Sequence, residues 1–127
     1  MYFDRNNPKP IYEQIVMGIK KDIVNAVYLP GEQLPSVREQ AKILGINPNT
    51  ISKAYKELES QEIIVTIRGK GTFVKELFSE ELTHKDQTKL KQQLNEWIIE
   101  AYYANVSKEL ITQWVIEETR RVFDETN

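Results

Sequence analysis

The sequence predicts a mainly α chain with a small β wing: a winged helix-turn-helix over residues 1–75, followed over residues 76–127 by a short two-helix dimerisation tail. Three observations carry this. Two helix-start signals, Ser36 and Asn47, stand on either side of Gly45. After Leu58 the apolar period changes from helical to alternating, with a cation-and-glycine turn in the middle. Beyond residue 82 the helical period returns twice, each time after a capping residue.

Taking the elements in order, Pro8 and Pro10 predict an extended entry, and Pro10 suits the first position of a helix running to about Asn25. Ile11, Ile15, Ile19 and Ile23 repeat every four residues, with Tyr12, Val16 and Val27 widening the stripe, so this helix is expected only to pack. Tyr28-Leu29-Pro30-Gly31 is a turn signal, and Leu34-Pro35 ends the loop, because a residue before proline is pushed out of helical geometry.

Ser36-Val37-Arg38-Glu39 is a capping box: the serine hydroxyl accepts from a first-turn N–H while the glutamate reaches back to the cap. Val37, Ala41 and Leu44 then share a face, and Gly45 stands where a helix tends to end in a left-handed residue. Asn47 offers the next cap, and Pro48 opens a second helix expected to reach Ser60. Ile51, Ala54, Tyr55 and Leu58 form its apolar stripe. Asn49, Lys53 and Lys56 lie opposite, flanked by Thr50 and Ser52. A small residue, a turn glycine and an apolar anchor at Ala41, Gly45 and Ile51 have helix-turn-helix spacing, leaving a polar, cationic face able to enter a groove. An ordinary helical hairpin with a solvated lysine face is the plainer alternative, but it would seldom combine both caps, the glycine and the spacing.

Residues 63–67 read as a strand, Arg68-Gly69-Lys70-Gly71 as a turn and Thr72-Phe73-Val74 as the returning strand. A bland surface hairpin would look similar. Coming directly after a helix pair, two cations interleaved with glycines suit close approach to a phosphate backbone. Residues 75–82 read as a polar connector. Thr83 then caps a helix through about Ala104, with Leu90, Leu94, Trp97, Ile98 and Ala101 on one face. Ser107 caps another, with Leu110, Ile111, Trp114, Val115 and Val122 on one face. Two such helices bury their stripes poorly alone, and a second copy is the simplest partner, with Leu94, Trp97, Ile98, Ala101, Trp114 and Val115 as its expected interface. Trp97, Tyr102, Tyr103 and Trp114 could instead line a pocket for a small effector.

Composition sets limits. A chain of 127 residues with 40% hydrophobic content can hold one small domain plus an extension. Without cysteine it forms no disulfide and no thiolate metal site. Neither a membrane span nor a signal-peptide core is legible, so the expected setting is cytoplasmic. Residues 1–35 carry four basic and four acidic side chains, residues 36–75 seven and four, and residues 76–127 six and eleven. The net +3 of the middle segment against −5 for the tail suits a nucleic-acid-binding part joined to an acidic part that does not bind. Enzyme chemistry has little to build on: the one histidine, His84, lies in a polar stretch. Glu80-Glu81 and Glu117-Glu118 are neighbours whose side chains diverge on a helix. No phosphate-binding glycine loop appears, and neither a metal nor an organic cofactor is expected.

The segments Pro30-Gly31-Glu32-Gln33-Leu34-Pro35-Ser36-Val37-Arg38-Glu39-Gln40-Ala41, Asn47-Pro48-Asn49-Thr50-Ile51-Ser52-Lys53-Ala54-Tyr55-Lys56-Glu57-Leu58 and Gly69-Lys70-Gly71-Thr72-Phe73-Val74 together resemble the winged helix-turn-helix of GntR-type bacterial transcription regulators. The likeness covers residues 8–75, and the short helical tail is similar to that of the YtrA-like subgroup, whose tails dimerise. By position, the resemblance implies operator contacts from Arg38, Asn49, Thr50 and Gly69. Many members carry an arginine where this sequence has Ser52, and Lys53 beside it is the expected substitute. With the caps and the remaining cations, the expected DNA-contacting set is Ser36, Arg38, Asn47, Asn49, Thr50, Ser52, Lys53, Lys56, Arg68, Gly69 and Lys70. The expected protein is a homodimeric repressor of a bacterial operon, reading a double-stranded, two-fold symmetric operator; resemblance to this subgroup implies transporter genes as its target. Two alternatives stay open: a winged-helix scaffold for protein docking, and a DNA-binding activator gated by a small effector. Docking would favour exposed apolar anchors on the second helix of the pair, where this chain has Asn49, Lys53 and Lys56.

Overall fold

The computed structural model describes residues 3–76 and 82–124. The chain divides into two compact units, Met1–Phe78 and Ser79–Asn127. Most of the connector and the Glu80-Glu81 pair lie outside the described residues.

The first unit contains α1 (Ile11–Val24), α2 (Val37–Leu44), α3 (Pro48–Ser60), β1 (Ile64–Ile67) and β2 (Gly71–Val74). Pro10 caps α1 rather than opening it, and the residues before it are not extended. Residues 4–7 turn, with the Asn7 N–H donating to the Asp4 carbonyl at 3.2 Å. Gln14 holds that turn against α1: its amide donates to Asp4 O at 2.9 Å and its carbonyl accepts the Asp4 N–H at 2.8 Å. The folded-back arm lets the Arg5 guanidinium donate to Gly45 O at 3.2 Å, a cation at the C-terminal end of α2.

The core forms where three helical stripes meet the wing. Ile15, Ile19, Ile51, Leu58 and Val74 are almost completely buried, with Ala41, Ala54, Tyr55 and Ile64 around them. α3 is the centre: it packs on α1, α2 and β1, and all four stripe residues that the 3.6-residue period selects are buried. Removing a side chain such as Ile51 there costs about 2–5 kcal/mol. Tyr55 adds a polar tie, its hydroxyl donating to Pro35 O at 2.7 Å and fastening α3 to the entry of α2. Burial, more than the nearby Tyr28 and Glu39, pushes its phenol well above the ordinary value of 10.0.

The helix ends repeat one device. Gly45 ends α2 at φ +65°, as its sequence position predicts. Ala26 and Glu62, both near φ +60°, do the same after α1 and α3 without being glycine. In each case the next N–H closes a six-residue turn, Val27 to Asp22 O at 2.8 Å and Ile63 to Leu58 O at 2.9 Å.

The wing is antiparallel, pairing Ile64 with Val74 and Ile67 with Gly71 around a three-residue turn, Arg68, Gly69 and Lys70. It has a further partner that the sequence reading took for plain loop. Gly31 N–H donates to Val74 O (2.9 Å), Val74 N–H to Glu32 O (2.9 Å) and Leu34 N–H to Thr72 O (2.8 Å), with Gln33 bridging Phe73. β2 is thus flanked on both edges.

The second unit holds α4 (His84–Tyr103) and α5 (Lys108–Phe123). Thr83 and Ser107 cap them as expected, their hydroxyls accepting from Asp86 N–H and Leu110 N–H. Among its described residues Ala101 alone is buried.

Candidate nucleic-acid interface

The helix pair presents its polar side through two local devices. In the capping box, Ser36 Oγ accepts the Glu39 N–H at 3.1 Å and Glu39 Oε1 accepts the Ser36 N–H at 3.2 Å. With Ser36 as the cap, α2 starts at Val37, so Arg38 falls in its first turn with an exposed side chain. At α3, Asn47 Oδ1 accepts the Asn49 N–H at 2.8 Å and Pro48 takes the first helical position. The caps use Ser36 and Asn47 as acceptors, which leaves the hydroxyl proton and the amide NH₂ as their donors.

Burying Ile51, Ala54, Tyr55 and Leu58 turns Asn49, Lys53 and Lys56 outward, with Thr50 and Ser52 half-buried at the edges of that face. The positive end of the α3 dipole adds to the attraction for an anion at the same place. At the wing tip Arg68, Gly69 and Lys70 are all exposed, and Gly69 adopts φ +80°, a left-handed conformation that a side chain would strain.

Two side chains that pattern reading missed belong to this surface. Tyr12, assigned to the packing stripe of α1, lies beneath Lys53, whose ammonium sits 4.0 Å from its ring centroid. The tyrosine is therefore a platform for a cation of α3. Arg5 supplies a further exposed cation at the α2–α3 turn. Neither has a sequence signal, since Tyr12 and Lys53 lie on different helices, and Arg5 arrives through the folded arm.

In the tail, the expected interface residues separate into two kinds. Leu94, Trp97, Ile98, Trp114 and Val115 are between 38% and 51% exposed, far more than side chains of a finished core. Ala101 is already buried. Trp97 and Trp114 meet edge to face at 6.4 Å and, with Leu94, Val115, Glu117 and Glu118, line an open groove of about 600 Å³. Tyr102 and Tyr103 do not line that groove; they pack on each other at 5.6 Å and stay exposed, because they sit at the end of α4, a turn beyond Trp97. Glu117 accepts from Gln113 and Glu118 pairs with Arg121, so these two carboxylates do diverge. His84 is exposed at the start of α4. No described helix is long and apolar enough to cross a membrane.

Comparison with known proteins agrees with this geometry. The chain is 46% identical over 114 residues to the HTH-type transcriptional repressor YtrA of Bacillus subtilis, covering 90% of this chain and 88% of that one. Its structure is similar to that of a protein from Listeria monocytogenes described as a transcriptional antiterminator, with a TM-score of 0.87, 38% identity and coverage of 96% and 91% of the two chains. The AraR DNA-binding domain in complex with operator ORE1 matches 57% of this chain and 89% of its own, with a TM-score of 0.51 and 30% identity. Residues 11–74, from the start of α1 to the end of the wing, match the profile of the bacterial regulatory proteins of the gntR family, and the chain belongs to that family.

Proposed function

We propose that this DNA-binding transcription regulator is a homodimeric repressor. Each copy would read one half of a two-fold symmetric operator with Arg38 and the opening residues of α3, while Arg68 and Lys70 grip the neighbouring backbone. The observation that carries this reading is the outer face of α3, which offers Asn49, Lys53 and Lys56 and no apolar anchor of the kind a protein-docking surface needs. Repression is supported by the similarity to YtrA, itself a transcriptional repressor. Dimerisation is supported by the half-exposed stripes of the tail, whose two tryptophans and surrounding aliphatics would be closed off by a second copy.

The division of labour follows: residues 1–75 bind DNA, residues 76–127 assemble the dimer, and a small effector, if one exists, would act through the tail. Selecting bound fragments from random double-stranded DNA tests the reading most directly. An enriched site with two inverted halves is expected, their centres about one helical turn, roughly 34–36 Å, or a multiple of it, apart. Enrichment of a single unrepeated site would remove the dimeric operator, and no enrichment at all would remove sequence-specific reading.

A further inference from the structure

The wing is too short to hold its own tip. Two four-residue strands joined by a turn are marginal in water, yet Arg68 and Lys70 must stand in a defined place to meet phosphates. What steadies the tip comes from 37 residues earlier in the chain: Gln33 Nε2 donates to the carbonyl of Lys70 at 3.1 Å. Two independent observations put the Gln33 side chain against the turn. Its backbone bridges Phe73 as part of the segment that flanks β2. Its amide also occupies the space where a side chain on Gly71 would begin, and Gly71 itself adopts φ +128°. Glycine at 71 is thus what lets the glutamine reach across the strand to the turn.

We infer that Gln33 is a positioning residue for DNA binding: its amide fixes the Arg68–Gly69–Lys70 turn and so sets where the two wing cations meet the phosphate backbone. The inference rests on the proposed role of the wing and adds to it a determinant that is neither cationic nor in the wing. Gln33 is exposed, so the unit's core does not depend on it. Replacing it removes one hydrogen bond from the turn and leaves the cations in the sequence but poorly placed.

The test is a double-mutant cycle in the full chain, with a random-sequence duplex as probe, because phosphate contacts act on all sequences alike. Gln33→Leu keeps the length of the side chain without the donor, and Gln33→Ala removes both. In the native background each is expected to weaken binding about three- to tenfold and to flatten the salt dependence, with an unchanged melting temperature. In an Arg68→Ala/Lys70→Ala background the same substitutions should have no further effect. Equal losses in both backgrounds would mean that Gln33 acts through a contact of its own and would overturn the inference. So would native-like binding by Gln33→Leu while Arg68→Ala/Lys70→Ala binds poorly. If the latter variant binds like the native chain, the role of the wing fails and the positioning role fails with it.

Discussion

Salt concentration is the perturbation that tests the binding surface and the assembly together. Per head, the structure exposes Lys53 and Lys56 on α3 and Arg68 and Lys70 on the wing tip, about four cations able to neutralise phosphates. Each displaced counterion contributes about −0.9 to the slope of log K against log salt, so one head gives about −3.6 and a dimer about −7. Over a rise from about 50 to 200 mM salt, a single head should lose on the order of 150-fold in affinity and a dimer on the order of ten-thousandfold. Fluorescence anisotropy of a labelled duplex titrated at several salt concentrations reads the slope directly. Lys70→Ala should lower its magnitude by about 1.8 in a dimer, by weakening all sequences alike, whereas Arg38→Ala and Asn49→Ala should chiefly reduce discrimination between sequences. A slope near −3.6 would refute simultaneous binding by two heads. Specific binding that hardly changes with salt would refute the assignment of α3 and the wing to DNA.

Four further outcomes are expected. Trp97→Ala or Trp114→Ala should weaken self-association on the order of a thousandfold in sedimentation experiments, since a half-exposed tryptophan has roughly 100 Å² left to bury, worth about 2 kcal/mol in each copy and so about 4 kcal/mol in a dimer; variants still associating like the native chain would place the interface elsewhere. Tyr12→Leu should reduce DNA affinity about two- to fivefold while Tyr12→Phe preserves it, because the ring rather than the hydroxyl carries Lys53, and in a Lys53→Ala background the difference should vanish. Tyr55→Phe should cost about 1 kcal/mol at neutral pH in denaturant unfolding. Because the folded state holds the Tyr55 proton more tightly than the unfolded state, its contribution is complete below pH 10.0 and falls away as pH rises above it; Tyr55→Phe should flatten that alkaline decline, and an unchanged decline would assign it to other groups. Ala26→Gly should raise stability by up to about 1 kcal/mol in denaturant unfolding, by relieving the left-handed backbone after α1 at φ +60°; an unchanged midpoint would show that alanine is not strained there.

What the sequence determined by itself is local. The capping box at Ser36, the Asn47-Pro48 start, the left-handed Gly45, the stripe of α3 and the turn of the wing each depend on residues within a few positions of one another, where hydrogen bonding and helical period leave few options. The face of α3 therefore followed directly from its buried face. The left-handed residues Ala26 and Glu62, which follow the expected helix ends, carry no such signal, because packing holds there a conformation for which those residues have no intrinsic preference.

What only the tertiary structure decided are the contacts between distant segments: Arg5 with Gly45, Tyr12 with Lys53, Gln33 with Lys70, Tyr55 with Pro35, and the docking of residues 31–34 along β2. None has a period or a motif. Tyr12 read as one more apolar residue of a stripe, and Gln33 as loop, because the role of each is set by which residue the fold brings within about 3 to 4 Å of it. That neighbour is chosen by the shared core of α1, α2, α3 and the wing, whose burial outweighs any single hydrogen bond or ring contact at the surface.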